Sequence, residues 1–134
     1  MKDLNKTDDE QGGYDLIVLG AGSAGVSAAI TGADAGKRGA LVGHGTIGGT
    51  CVNVGCVPSK AMIRAAEAVH CAGAAKRFPG LSGRAQVDDW QTLVQSKDDL
   101  VETLRQKKYA DLLPEYEGVD YIDAGPARLI EGGV

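Results

Sequence analysis

Residues 48–60 read Gly-Gly-Thr-Cys-Val-Asn-Val-Gly-Cys-Val-Pro-Ser-Lys. Cys51 and Cys56 are separated by four residues, a spacing that closes a small disulfide ring where the Cα atoms come within about 7 Å. A helix start offers that geometry, and its dipole lowers a thiol pKa. One sulfur can then stay a thiolate facing an electron acceptor while the other meets substrate. Gly48, Gly49 and Gly55 imply close backbone packing against a bulky planar group. Two other uses compete. Half a zinc site would draw on Cys71, His44 and His70, but the spacing is not the usual two-residue knuckle. A purely structural disulfide is out of place in a reducing compartment.

Upstream, Gly20-Ala-Gly-Ser-Ala-Gly25 follows an apolar run ending at Leu19. In a Gly-x-Gly-x-x-Gly turn the first glycine permits a sharp reversal and the second admits a pyrophosphate to the backbone. The third lets helix and strand pack closely. Those positions are Gly20, Gly22 and Gly25. Backbone N–H groups around Ser23 and Ala24 would bind phosphate oxygens, helped by the helix dipole. A tight turn with no ligand is the plainer reading. A nucleotide-binding turn followed by a close cysteine pair points to a flavin beside a redox-active dithiol. Lys60, one turn past Cys56, would then stabilise a thiolate or the negative charge of a reduced flavin. One expected group is missing. The second strand should end in an Asp or Glu for a ribose hydroxyl, but the chain has Val42-Gly43-His44. Either backbone and water serve the ribose there, or His44 substitutes as a hydrogen-bond partner; His44 as a solvated loop residue is equally compatible.

The elements that must position these residues can be read from patterning. Tyr14–Leu19 has the length and apolarity of a buried parallel strand. Ser23 to about Ala35 is helical, with Val26, Ala29, Ile30 and Ala33 on one face and Gly36 as its stop. Residues 40–42 form the second strand, completing a βαβ unit of roughly 30 residues. A helix from Thr50 or Pro58 to Cys71 carries Met62, Ile63, Ala66 and Val69, and residues 72–87 form a loop. A long helix runs from about Val87 to Leu113, with Trp90, Leu93, Val94, Leu100, Val101 and Leu104 as core or interface and Pro114 as its end. Two short strands, 119–122 and 127–130, flank a turn at Gly125-Pro126. Cys71 is read as a buried or incidental thiol.

The bulk numbers set limits. The chain has 134 residues, 43% hydrophobic and 24% charged, which suits one soluble globular domain. Net charge is −4, from 14 basic and 18 acidic residues. No basic stripe answers to nucleic acid. No run approaches the ~18 apolar residues that span a bilayer, and no signal peptide is evident. Three cysteines without an export signal imply a cytoplasmic, reducing location. Residues 1–12 read as a disordered lead-in and 13–134 as one FAD-binding domain, α/β and Rossmann-type, three-layered but incomplete. The chain ends on a turn signal, as a fragment would.

Taken together, the glycine turn and the cysteine motif resemble the FAD-dependent pyridine nucleotide-disulfide oxidoreductases. Gly45-Thr-Ile-Gly-Gly-Thr-Cys51 and Met62-Ile-Arg-Ala-Ala66 look most like the mercuric reductase branch; Lys108-Tyr109 and Gly125-Pro-Ala-Arg128 extend the match. The resemblance implies FAD pyrophosphate contacts at Gly20, Gly22 and Gly25, flavin contacts at Gly45, Thr50 and Lys60, and adenine contact near Ala127. It implies Cys51 as the substrate-facing thiol and Cys56 as the flavin-facing one. Electrons would pass from NADPH through FAD to the thiol pair and on to Hg(II), yielding Hg(0), in a homodimer. Gly43 departs from the family's ribose-binding acid. The family's NAD(P)H and dimerisation domains are not in this sequence, so steady-state activity is not expected of it alone. The nearest alternatives are a dihydrolipoyl dehydrogenase or glutathione reductase relative acting on a small disulfide, and a non-enzymatic thiol module for soft metals.

Overall fold

The structure, a computed structural model, describes residues 13–130. The lead-in expected over 1–12 and the chain end at 132–134 lie outside the described residues. Strand β1 (Leu16–Leu19), helix α1 (Ser23–Asp34) and strand β2 (Gly39–Gly43) form the expected βαβ unit. Gly36 follows α1 at φ 73°, the left-handed conformation that ends a helix with little strain. Strand β3 (Val119–Asp123) completes a parallel sheet of order β1-β2-β3. Val18 pairs with Leu41, and Leu41 with Tyr121, so these side chains share one face.

That face carries the core. Leu41 is fully buried among Val26 and Ala29 of α1, Val52, Tyr109 and Leu113, with Val18 and Val119 packed against them. On the other face Ile17 and Leu19 are 43% and 48% exposed. The expectation of a fully buried first strand is therefore corrected: β1 alternates, because among the described residues helices pack on one face only. The fold class stands as an α/β Rossmann-type domain in incomplete form; of the three layers expected, the described residues show the sheet and one helical layer.

Between β2 and β3 lie three helices: α2 (Gly49–Asn53), α3 (Cys56–Ala74) and α4 (Trp90–Arg105). What sequence presents as one helix after Thr50 is two, broken at Val54-Gly55. Helix α3 starts at Cys56 with Pro58 in its first turn, where a missing N–H costs nothing, and it runs on to Ala74 into what was expected as loop. Its Ile63 is 62% exposed.

Helix α4 starts at Trp90, later than expected, because Asp89 caps it. The Asp89 carboxylate accepts from the Gln91 and Thr92 N–H groups at 2.9 and 3.1 Å and from the Thr92 hydroxyl at 2.7 Å. Nor does Pro114 end it. Past Arg105 the chain widens into a π-helical turn over Gln106–Ala110, and Pro114 sits inside a 3-10 turn, Leu113–Glu115. The extra residue in the wide turn carries Tyr109 into the core, where it is 8% exposed. Val101 is buried, but Trp90 and Leu100 remain exposed, so the stripe is core only toward its C-terminal end. The fourth strand expected at 127–130 does not form: Gly125, at φ 103°, and Pro126, which lacks an N–H, lead the chain away from the ladder. No described helix is long and apolar enough to cross a membrane.

Candidate functional site

Beyond the carboxyl ends of the strands lies a cavity of about 400 Å³, within the range of small-molecule sites. Gly20, Gly22, Gly45 and Ala127, all singled out from sequence, line it together with Gly43 and Tyr121. His44 also lines it and is exposed. Helix α1 begins at the cavity without a side-chain cap, so its first N–H groups, at Ser23 and Ala24, have no intrahelical acceptor. Gly25 sits under the turn: a Cβ there would run into the Gly20 carbonyl oxygen and lie 3.3 Å from Val18 Cγ1.

Thr50, Cys51, Cys56 and Lys60 do not line this cavity; they stand on α2 and α3, joined to it through a glycine contact. The Gly48 N–H donates to the Ala21 carbonyl at 2.9 Å, and a Cβ on Gly49 would lie 2.8 Å from Gly22 Cα. Gly48 and Gly49 have φ of 97° and 68°. A Cβ on Gly48 would meet Val52 and the Tyr109 ring, and one on Gly55 the Thr50 carbonyl oxygen at 2.9 Å. These three glycines, expected to make room for a planar group, are thus required by the protein's own close packing.

Both cysteines are exposed free thiols, as is Cys71. The Cys51 thiol donates to the Cys56 sulfur, and this hydrogen bond is the main reason its pKa is raised. Desolvation and the electrostatic influence of Cys56 add to the rise, against the Cys56 backbone N–H and the Lys60 charge. The lowering expected from a helix start is therefore outweighed at Cys51, although Lys60 acts in the direction expected of it. Among the described residues no cluster of three or more His, Cys, Asp or Glu forms that could hold a metal ion.

Two positioning elements went unnoticed in sequence. Asn53, inside the cysteine motif, donates through Nδ2 to the Ile47 and Gly49 carbonyls, both at 2.9 Å, and accepts from Arg105 at 3.1 Å. Asn53 is the last residue of α2, and its Arg105 partner is one that only the fold brings near. Ser23 Oγ lies 2.9 Å from the Tyr109 hydroxyl. Sequence alone marks Tyr121 only as a strand residue. Its hydroxyl would be 2.6 Å from a Cβ on Gly43, so the phenol fills the place of a side chain at the end of β2. Desolvation, then the charge of Asp123, raises its pKa.

Residues 14–129 match the model of the pyridine nucleotide-disulphide oxidoreductase family. The chain is 51% identical over 104 residues to a mercuric reductase of Streptomyces lividans, covering 78% of this chain and 22% of that protein. It is 45% identical over 123 residues to a mercuric reductase of Staphylococcus aureus, covering 92% of this chain and 22% of the relative. Among solved structures, the HOCl-induced flavoprotein disulfide reductase RclA from Escherichia coli superposes with a TM-score of 0.64 at 33% identity, over 87% of this chain and 23% of that one.

Proposed function

The chain belongs to the pyridine nucleotide-disulphide oxidoreductase family, and from that premise we propose that it is the FAD-binding and dithiol part of a mercuric reductase-type flavoenzyme. The observation that carries this reading is the Gly22–Gly49 contact, which butts the helix bearing Cys51 against an uncapped, nucleotide-type turn.

The residues present fit FAD. The uncapped start of α1 offers N–H donors at Ser23 and Ala24 for a pyrophosphate, and Gly20 and Gly22 leave its approach open. Gly45, Thr50 and Lys60 contact the flavin portion, and the Ala127 backbone the adenine end. When bound, FAD supplies a two-electron relay between a nicotinamide donor, NADPH, and the thiol pair. Cys51 meets the substrate and Cys56 faces the flavin. Hg(II) is the substrate: two thiolates, each having released its proton, hold this soft ion while it takes up two electrons. The net reaction turns NADPH and Hg(II) into NADP⁺, H⁺ and Hg(0). Exposure of both sulfurs lets the ion enter and the metal leave. The setting is the reducing cytoplasm, the assembly a homodimer, and the physiological role resistance to mercury.

The test is to incubate the purified chain with FAD, desalt it and record the absorbance spectrum, then titrate it with Hg(II). Retained flavin, lost in Gly22→Val, with one Hg(II) bound per Cys51/Cys56 pair and lost in Cys51→Ser, is the expected result. A colourless protein that binds Hg(II) regardless of Gly20 or Gly22 would replace the reading with a metal-binding thiol module.

A further inference from the structure

Doubly wound nucleotide folds place an acid at the end of the second strand to hold the ribose hydroxyls. This chain has Gly43 there, and the structure shows what stands in that volume. A Cβ on Gly43 would lie 2.6 Å from the Tyr121 hydroxyl, 2.8 Å from its Cε2 and 3.1 Å from Ala21 Cβ. With Tyr121 as placed, residue 43 cannot carry a carboxylate side chain.

The register explains the exchange. Gly43 pairs with Asp123 and Leu41 with Tyr121, so Tyr121 and Gly43 are on one face of adjacent strands, and both line the cavity. Tyr121 is 37% exposed, and among the described residues its hydroxyl has no hydrogen-bond partner. A carboxylate accepts from both hydroxyls of a ribose diol through its two oxygens; a phenol offers one oxygen that both donates and accepts, enough to hold one ribose hydroxyl without adding a charge.

Resting on the FAD reading above, we propose that Tyr121 replaces the strand-end acid as the side chain that binds the adenosine ribose. A phenol is neutral and able to donate at neutral pH, and the upward shift at Tyr121 acts in the same direction. A ligand with both ribose hydroxyls is therefore preferred over one without them, and the preference belongs to β3 instead of β2.

The test compares ADP with 2′,3′-dideoxy-ADP by calorimetry on the chain, alongside FAD retention. Wild type is expected to prefer ADP by about three- to tenfold, the worth of one hydrogen bond, and Tyr121→Phe to lose that preference. A merely structural tyrosine would weaken both ligands alike. Tyr121→Ala combined with Gly43→Asp is expected to regain the preference, the acid taking the vacated space. Retained FAD with no preference for ADP, no measurable ADP binding, or a preference that survives in Tyr121→Phe, overturns this assignment and leaves the FAD reading standing. Binding of neither FAD nor ADP overturns both.

Discussion

The Ser23 hydroxyl, at the first position of α1, is hydrogen-bonded to the hydroxyl of Tyr109 at 2.9 Å. This bond ties the start of the nucleotide-type turn to a π-helical turn far away in sequence. Tyr109 also faces Gly48, so one ring supports both the turn and the glycine pair before the thiol helix.

Tyr109→Phe keeps the ring and removes the bond, so it is expected to cost about 1 kcal/mol. Urea unfolding of Tyr109→Phe, Ser23→Ala and the double variant measures it. A coupling of at least ~0.5 kcal/mol between the two changes is the expected outcome; additive effects would mean the bond contributes nothing.

Gly25→Ala forces a Cβ onto the Gly20 carbonyl, and backbone cannot rotate away. A loss of about 3 kcal/mol or more is expected. Gly73→Ala, with nothing within 4 Å of its Cβ and a helical backbone, is expected to stabilise by about 0.5 kcal/mol. Denaturant midpoints of the two variants should therefore move in opposite directions.

For Cys51 the pKa is raised chiefly by its hydrogen bond to the Cys56 sulfur. A raised folded value means the fold favours the protonated thiol: that contribution is present below the ordinary thiol pKa and is lost as pH rises through the raised one. In a Cys71→Ser background, Cys56→Ala should shift the pH midpoint of Cys51 alkylation downward, since the Lys60 influence remains. Adding Lys60→Ala should shift it back up. Iodoacetamide rates against pH read both.

At Asp89 the pKa is lowered, first by the Thr92 hydroxyl and then by its N–H, with the Gln91 N–H contributing least. The stabilisation is therefore present above the ordinary aspartate value of about 3.9 and is lost as pH falls through the depressed one. Asp89→Ala should lower Tm by a few degrees at neutral pH. The difference from wild type should vanish in strong acid, which thermal melts across that range would show.

How much of this was legible depends on how local each signal is. The βαβ unit and its glycine turn were readable because strand length, helical periodicity and Gly36 all lie within one stretch of chain. The cysteine pair was readable from spacing. The π-turn was not, since Tyr109 is drawn inward by a core assembled from α1, β2 and α2. The role of Gly49 needs Gly22 beside it, and that of Tyr121 needs the register of β3 on β2; neither is encoded within a window. The alternation of β1 depends on what covers each face of the sheet.

The strand order has a consequence for how the molecule is made. The chain leaves the sheet at Gly43 and rejoins it at Val119, with α2, α3 and α4 between. Closing so long a crossover is entropically slower than forming helices from sequence neighbours. On a ribosome, the segment bearing Cys51 and Cys56 emerges before Tyr121 and Ala127 can wall the cavity. The nascent protein is thus expected to carry its thiol pair before it has a place for a nucleotide, and the two thiols stay exposed once the fold is complete.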